Sequence, residues 1–471
     1  MTDNMRNGAP AIPLQTGRYA RFKEAPRPAK EVRPRSATYF HERLCICLLY
    51  ACVLENCVLA AVNSLLFPVS QGLVVGAQLF LTASAIGLIV SGKARLERPF
   101  MFGCVGFTLC VLAAVAHSGT VDTRFLYDAT VIPIFILLGM TARKFSTSFL
   151  TALLLIVLGV AIFELIFPEM YVALFNPLRY FLATRKWMGE TQGLTATIVT
   201  ANDFYFGAHR PGGTIFGADH RVGSIFLEPL SLGYFSFICA IFYLYKFRHK
   251  IIKSLIPVGV CLALAAMSDS RTSVFLIAFT TLFRGVIGRS AAEIRYMSPI
   301  LILAVIIGVY SMAQTDSGDL AYRLSLTFGA LRDASLTDIL FGGQFNTVLG
   351  DSGVIYMIAN AGVIGFFLYL FLASGFLVER NSAAFVTQAV LLYLVVASLF
   401  GGAIFSIKTA AILGFGIGSA VANARGPESK KADKRAGPLF SRGPFGLQSR
   451  SGHGQNVRLN PLKTKQGPER A

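Results

Sequence analysis

A chain of 471 residues that is 54% hydrophobic and only 14% charged, with a mean hydropathy of +0.59, is far more apolar than a soluble domain needs. Its apolar residues form continuous runs near the ~20 residues that cross a bilayer as a helix. This excludes a β-barrel, which would show short alternating segments, and points to an all-α polytopic membrane protein. A formal charge of +18 often signals nucleic acid, but thirteen of those charges lie in the two end segments, so no nucleic-acid partner is expected.

Residues 1–43 are basic and rich in Pro, Gly and Ser, the composition of a disordered tail held against anionic lipid on the cytoplasmic face. They are too long for the basic region of a signal peptide, and the run that follows has no convincing cleavage site, so it is expected to remain as the first helix. Apolar runs then fall at about 44–66, 70–91, 100–116, 125–140, 147–167, 225–246, 250–267, 272–287, 297–313, 353–378, 384–400 and 403–422. They give twelve spans in one transmembrane unit, 44–422. With the N-terminus inside, alternate loops carry Lys93, Arg95 and Arg98, then Arg143 and Lys144, then the stretches 246–250, 284–296 and 379–382, and four of these five are plainly basic, in line with the positive-inside rule. An even number of spans returns the basic tail, 423–471, to the cytoplasm. Two long segments, 168–224 and 314–352, are then external, and loops of that length in a compact membrane protein are usually functional.

Glu55, Asp128, Glu164 and Lys408 lie in or near spans, where a charge costs about 2.5–3.5 kcal/mol at a helix centre. Those near helix ends can reach the interface and are read as structural, whereas Glu55, close to mid-span, is the exception to test. The eight cysteines, Cys45, Cys47, Cys52, Cys57, Cys104, Cys110, Cys239 and Cys261, all fall in spans and read as small packing residues.

Chemistry concentrates in the stretch HRPGGTIFGADHRVGSIFLEP, His209 to Pro229, which gathers His209, Arg210, Asp219, His220, Arg221 and Glu228 before a span. If Arg221 is already helical, Glu228 lies about two turns on and shares its face. The two are then either a plain ion pair or a cation over a carboxylate at a membrane mouth. Three outward helix starts carry polar clusters: after Arg221-Val222-Gly223-Ser224, around Ser268-Asp269-Ser270-Arg271-Thr272, and after Asp351-Ser352-Gly353. Helix N-termini favour anions, and an arginine there opposes the helix dipole. Arg271 therefore calls for an anion, either Asp269 or a ligand. The functional reading is that Arg210, Arg221 and Arg271 converge on a phosphate or diphosphate through bidentate, permanently charged contacts. No HExxH, paired CxxC or P-loop occurs, so neither a metal nor a nucleotide cofactor is expected.

RVGSIFLEPLSLG (Arg221 to Gly233), SDSRTSVF (Ser268 to Phe275) and DSGVIYMIANAGVIGFFLYL (Asp351 to Leu370) resemble, in that order, three motifs of the O-antigen polymerase and ligase superfamily, the Wzy and WaaL-like proteins. The resemblance covers roughly Cys45 to Asn423. It implies a glycosyltransferase of GT-C type at the periplasmic face of the bacterial inner membrane, acting on glycans linked to undecaprenyl diphosphate, with Arg221 and Arg271 engaging the diphosphate. Ligases of the family use a histidine in the later large external loop, and none stands between Gln314 and Ser352. A polymerase of exopolysaccharide, O-antigen or capsule is thus favoured over a ligase. A twelve-helix transporter or flippase is the rival of another class.

On the polymerase reading an acceptor hydroxyl attacks the donor's anomeric carbon with inversion, and preorganised arginines stabilise the leaving diphosphate. Glu228 or Asp351 is then the group that orients or deprotonates the hydroxyl, and His220, Asp269 and Arg323 are further candidates for substrate contact. The partners implied are the lipid-linked donor and acceptor, the bilayer, a chain-length regulator and a flippase.

Overall fold

In hydrocarbon each backbone N–H and C=O must be satisfied within its own segment, so long apolar runs that cross it singly have one solution, the helix. The computed structural model describes residues 35–92, 97–120, 122–142, 146–185, 214, 220–248, 250–287, 298, 319–343, 345, 352–376, 383–399 and 401–424, and every regular element among them is helical. The helices are α1 (Arg35–Leu65), α2 (Gln71–Gly92), α3 (Arg98–Ser118), α4 (Thr123–Ala142), α5 (Thr147–Ile166), α6 (Pro168–Phe175), α7 (Pro177–Thr184), α8 (Pro229–Lys246), α9 (Ile251–Met267), α10 (Arg271–Leu282), α11 (Arg284–Ile287), α12 (Asp319–Asp333), α13 (Leu336–Phe341), α14 (Gly353–Ala373), α15 (Ala384–Ser398) and α16 (Ile407–Asn423).

Seven of the described helices are long and apolar enough to cross a membrane: α1, over Phe40–Leu65, with α2, α3, α4, α5, α8 and α14. This is the architecture of a polytopic membrane protein. The shorter apolar helices α9, α10, α15 and α16 account for four further runs, while the run 297–313 lies outside the described residues. α1 begins at Arg35, inside the segment expected to be tail.

Association of helices in lipid rests on close packing and on small residues that let backbones approach. α16 carries Gly414-x-x-x-Gly418, and a Cβ added at Gly418 would lie 1.9 Å from the Ile136 carbonyl oxygen on α4. Only glycine permits that contact. α8 is apolar on all sides and correspondingly buried, from Tyr234 and Phe235 to Leu244. α2 and α3 instead turn Phe80, Val90, Phe102 and Leu109 outward, as lipid-facing helices do.

The segment after α5 begins with two short helices rather than an open loop. Pro168 and Pro177 each occupy the first turn of a helix, where a missing N–H costs nothing. Between them Asn176 takes a left-handed conformation (φ 35°), and its side chain accepts a hydrogen bond from the Arg179 N–H at 3.0 Å. The two helices pack Tyr171, Phe175, Tyr180 and Phe181 against Ala60, Val69 and Leu227. They thereby carry Arg185, at the end of α7, to the start of α8.

Candidate functional site

Residues 221–228 form a tight turn laid across the ends of four helices. The Val222 N–H donates to the Met267 carbonyl at 3.1 Å, and Arg221 Nε donates to the Ser268 carbonyl at 3.0 Å. Gly223 is right-handed (φ −103°, ψ −24°) and Ser224 left-handed (φ 50°). Successive residues of those two hands point their N–H groups into one concavity that accepts an anion. Glu164 of α5 fills it: the Gly223 N–H donates to its two oxygens at 3.0 and 3.1 Å, and the Ser224 N–H to Oε2 at 2.6 Å. Ser224 Oγ donates to the Val157 carbonyl at 2.7 Å, and the Tyr171 hydroxyl donates to the Ser224 carbonyl at 2.7 Å. A single 3-10 turn, Ser224–Phe226, follows, and Leu227 is again left-handed (φ 61°).

Arg221 is therefore not helical, and the two-turn alignment with Glu228 does not form. Glu228 is the N-cap of α8 and pairs with two other cations. Arg185 donates to Oε1; Lys408 Nζ donates to Oε2 at 2.8 Å and to the Phe226 carbonyl at 3.2 Å; Ser231 Oγ also donates to Oε2, at 2.9 Å. The Arg185 guanidinium lies over the Phe181 ring, 4.2 Å from its centroid. A carboxylate between two cations is held in its charged form and is a poor acceptor of a further proton. Both oxygens of Glu228 are thus engaged at the start of α8.

The second turn, Ser268 to Arg271, joins α9 to α10. Asp269 is left-handed (φ 47°), Ser270 is the N-cap of α10, and Ser270 Oγ donates to Ser273 Oγ at 2.8 Å. Gly233 lets α8 lie against this turn, since a Cβ there would stand 2.4 Å from Ser270 Cβ. Arg271 occupies the first helical position, against the dipole, with Nε 3.9 Å from Asp269 Oδ1. Asp269 is buried, yet the Arg271 side chain is 69% exposed. The two motif arginines are attached to one four-residue turn, Arg221 through the carbonyl of Ser268 and Arg271 through the chain itself. A guanidinium held so near the surface by one long ion pair retains donors for an anionic ligand.

The other predicted residues divide. His220 is buried, with Nε2 3.7 Å from Glu164 Oε1. Arg210 and Asp351 lie outside the described residues; Arg323 is in α12, and its side chain lies outside them too. Next to Asp351, Ser352 is the N-cap of α14, accepting from the Ile355 N–H at 3.3 Å and from Thr327 Oγ1 at 2.9 Å. A cavity of about 310 Å³ opens between α3, α4 and α14, lined by Ala114, Asp122, Phe125 and Asn360, and it includes no residue of the two turns. Among the described residues no three His, Cys, Asp or Glu side chains form a metal-binding group.

Three residues that organise the site, Glu164, Arg185 and Lys408, were not legible as such from the sequence. Glu164 and Lys408 each have 2% relative exposure, so neither reaches toward the interface as helix-end charges commonly do. The signal was present in the cost of charge inside a span, which by itself marks a functional group. Comparison with protein-family models, curated proteins and solved structures finds no match to this chain.

Proposed function

We propose that the chain is a polymerase of lipid-diphosphate-linked oligosaccharides, a GT-C-like enzyme with twelve spans, both termini cytoplasmic, and the two turns facing the periplasm of the bacterial inner membrane. The observation that carries the reading is the attachment of Arg221 and Arg271 to the single turn 268–271, with the Arg271 side chain 69% exposed. Guanidinium pairs suit a diphosphate because their donors match its oxygens bidentately and keep their charge at any physiological pH. The orientation is supported by Lys246, Arg248, Lys250, Lys253 and Arg284, which cluster where α8 ends, α9 begins and α10 gives way to α11, away from both turns.

In this reading the donor glycan stands with its diphosphate on the arginines while an acceptor hydroxyl attacks the anomeric carbon. The bond to the diphosphate oxygen breaks, the configuration inverts, and charge builds on an oxygen already facing fixed cations. The base is sought among the external acids such as Asp351, since Glu228 is committed to Arg185 and Lys408.

The test is Arg271→Ala in cells carrying the full pathway, with lipid-linked glycans resolved by size. Single repeat units on the lipid carrier should accumulate and polymer should vanish. Full-length polymer accumulating on the lipid carrier would identify a ligase instead, and normal polymer reaching the cell surface would overturn the role of the arginine.

A further inference from the structure

Glu164 has no part in the motifs that point to the function, yet its two oxygens make three contacts with the 221–228 turn. It sits on α5, a membrane-spanning helix, with 2% relative exposure. Two N–H groups of the turn, those of Gly223 and Ser224, make three contacts of 2.6–3.1 Å with its two oxygens. They do so only because Ser224 adopts a left-handed conformation that a non-glycine residue rarely takes. The concavity that such a backbone offers to an anion is thus occupied from within. A substrate phosphate has no access to those N–H groups, and Arg221, two residues before Gly223, is oriented by the turn they define.

We propose that Glu164 is a positioning residue: its carboxyl group, buried inside the bundle, fixes the nest at Gly223 and Ser224 and so sets where Arg221 presents its guanidinium. The inference rests on the function proposed above for the consequence on turnover, but the geometric claim is independent of it. A carboxyl offers two acceptor oxygens. The amide of glutamine offers one, and turns an NH₂ toward groups that are themselves donors. Aspartate keeps both acceptors but withdraws them by one methylene. The proposal therefore fixes an order, with Glu164→Gln more disruptive than Glu164→Asp although glutamine is the closer in shape. A residue that only filled space would give the reverse order.

Val222 provides a reporter, because it is fully buried beside the nest. Val222→Cys is introduced into the full-length chain in native membranes and exposed to a membrane-impermeant maleimide, with the parent chain and its native cysteines as background. Protection is expected with Glu164, partial labelling with Glu164→Asp and strong labelling with Glu164→Gln. In chains without the reporter, polymer synthesis should fall in the same order, by about a hundredfold for Glu164→Gln, the loss that ~1 Å of misplacement commonly causes. If Glu164→Gln does not accumulate, Glu164→Asp against the parent decides, and parent-like protection and turnover overturn the proposal. So does protection in Glu164→Gln, or labelling greater in Glu164→Asp than in Glu164→Gln. Should labelling follow the expected order while no chain, the parent included, makes polymer, the positioning role stands and the enzymatic reading falls.

Discussion

Replacing Gly233 by alanine tests whether α8 and the 268–271 turn are packed as closely as the site requires. The new Cβ would stand 2.4 Å from Ser270 Cβ, 2.5 Å from Ser270 Oγ and 2.9 Å from Ser273 Oγ. Carbon atoms prefer about 3.5–4.0 Å, so the turn must retreat by more than ~1 Å. Overpacking of this kind costs about 1–3 kcal/mol, and a contact this short belongs at the upper end. Alanine recovers up to about 1 kcal/mol through its higher helix propensity, which leaves a net loss near 2 kcal/mol. Gly259, on the adjacent α9, is the matched control, because a Cβ there meets nothing within 4 Å and only the propensity gain remains. Thermal unfolding of the detergent-solubilised chain, followed by the monodisperse fraction that survives heating, should rank Gly259→Ala at or above the parent and Gly233→Ala several degrees below it. If the chain is the polymerase proposed above, polymer synthesis should fall with Gly233→Ala alone, since the turn that moves carries Arg271. Equal stability of the two variants would refute the close approach and, with it, the placing of the arginine.

Lys408→Met removes the cation that bridges Glu228 and the Phe226 carbonyl. Breaking a buried pair in this way costs about 3–5 kcal/mol, and the double change Lys408→Met with Glu228→Gln should recover part of the loss in a thermal double-mutant cycle; strict additivity would contradict the pairing. In α14, Gly362 is left-handed (φ 67°) inside the helix, and a Cβ there would stand 2.1 Å from the Leu340 carbonyl oxygen. Gly362→Ala should therefore unseat α13, which a cysteine cross-link between α13 and α14 would detect as reduced yield. Asp338, outside the spans, has its carboxyl held below the ordinary value of 3.8 by the Ser335 hydroxyl first and by His117 second. Because the folded-state pKa is depressed, its contribution is complete above about pH 4 and is lost as pH falls through the lower folded value. Asp338→Asn should flatten the acid end of a stability-versus-pH curve, and an unchanged curve would show that the carboxylate's contacts to Ser335 and His117 contribute nothing.

The architecture was legible because its cause is simple: a bilayer admits apolar helices, and apolar runs are visible in any sequence. Eleven of the twelve runs coincide with described helices. What periodicity could not show was the pair of short helices α6 and α7, although prolines at 168 and 177 and Asn176 between them are start and stop signals of the ordinary kind. The site divides along the same line. Arg221 and Arg271 stood out because arginine at a membrane rim opposes both lipid and helix dipole. The groups that hold the 221–228 turn did not, because Glu164, Arg185 and Lys408 lie 57, 36 and 187 positions from Arg221 in the chain and reach Gly223, Ser224, Phe226 and Glu228 only through the bundle. Spacing along one helix suggested Glu228 as the partner of Arg221. The left-handed residues at 224 and 227 broke that helix and gave Glu228 to Arg185 and Lys408 instead.

Those left-handed residues also bear on how the site works. Of the four non-glycine residues with positive φ among the described residues, Ser224, Leu227 and Asp269 lie in the two turns that carry Arg221 and Arg271. Each such conformation costs about 1–2 kcal/mol, and it persists only where surrounding bonds over-determine it. Here they do: Glu164, Val157 and Tyr171 hold Ser224, and Lys408 holds the carbonyl next to Leu227. A turn strained at two residues and fixed from three helices cannot reshape itself around a ligand at low cost. Its guanidinium is thereby preset, and the energy stored in the backbone is offset by polar bonds inside the bundle. On the polymerase reading proposed above, loosening any one of those bonds should therefore lower turnover more than it weakens binding of the donor.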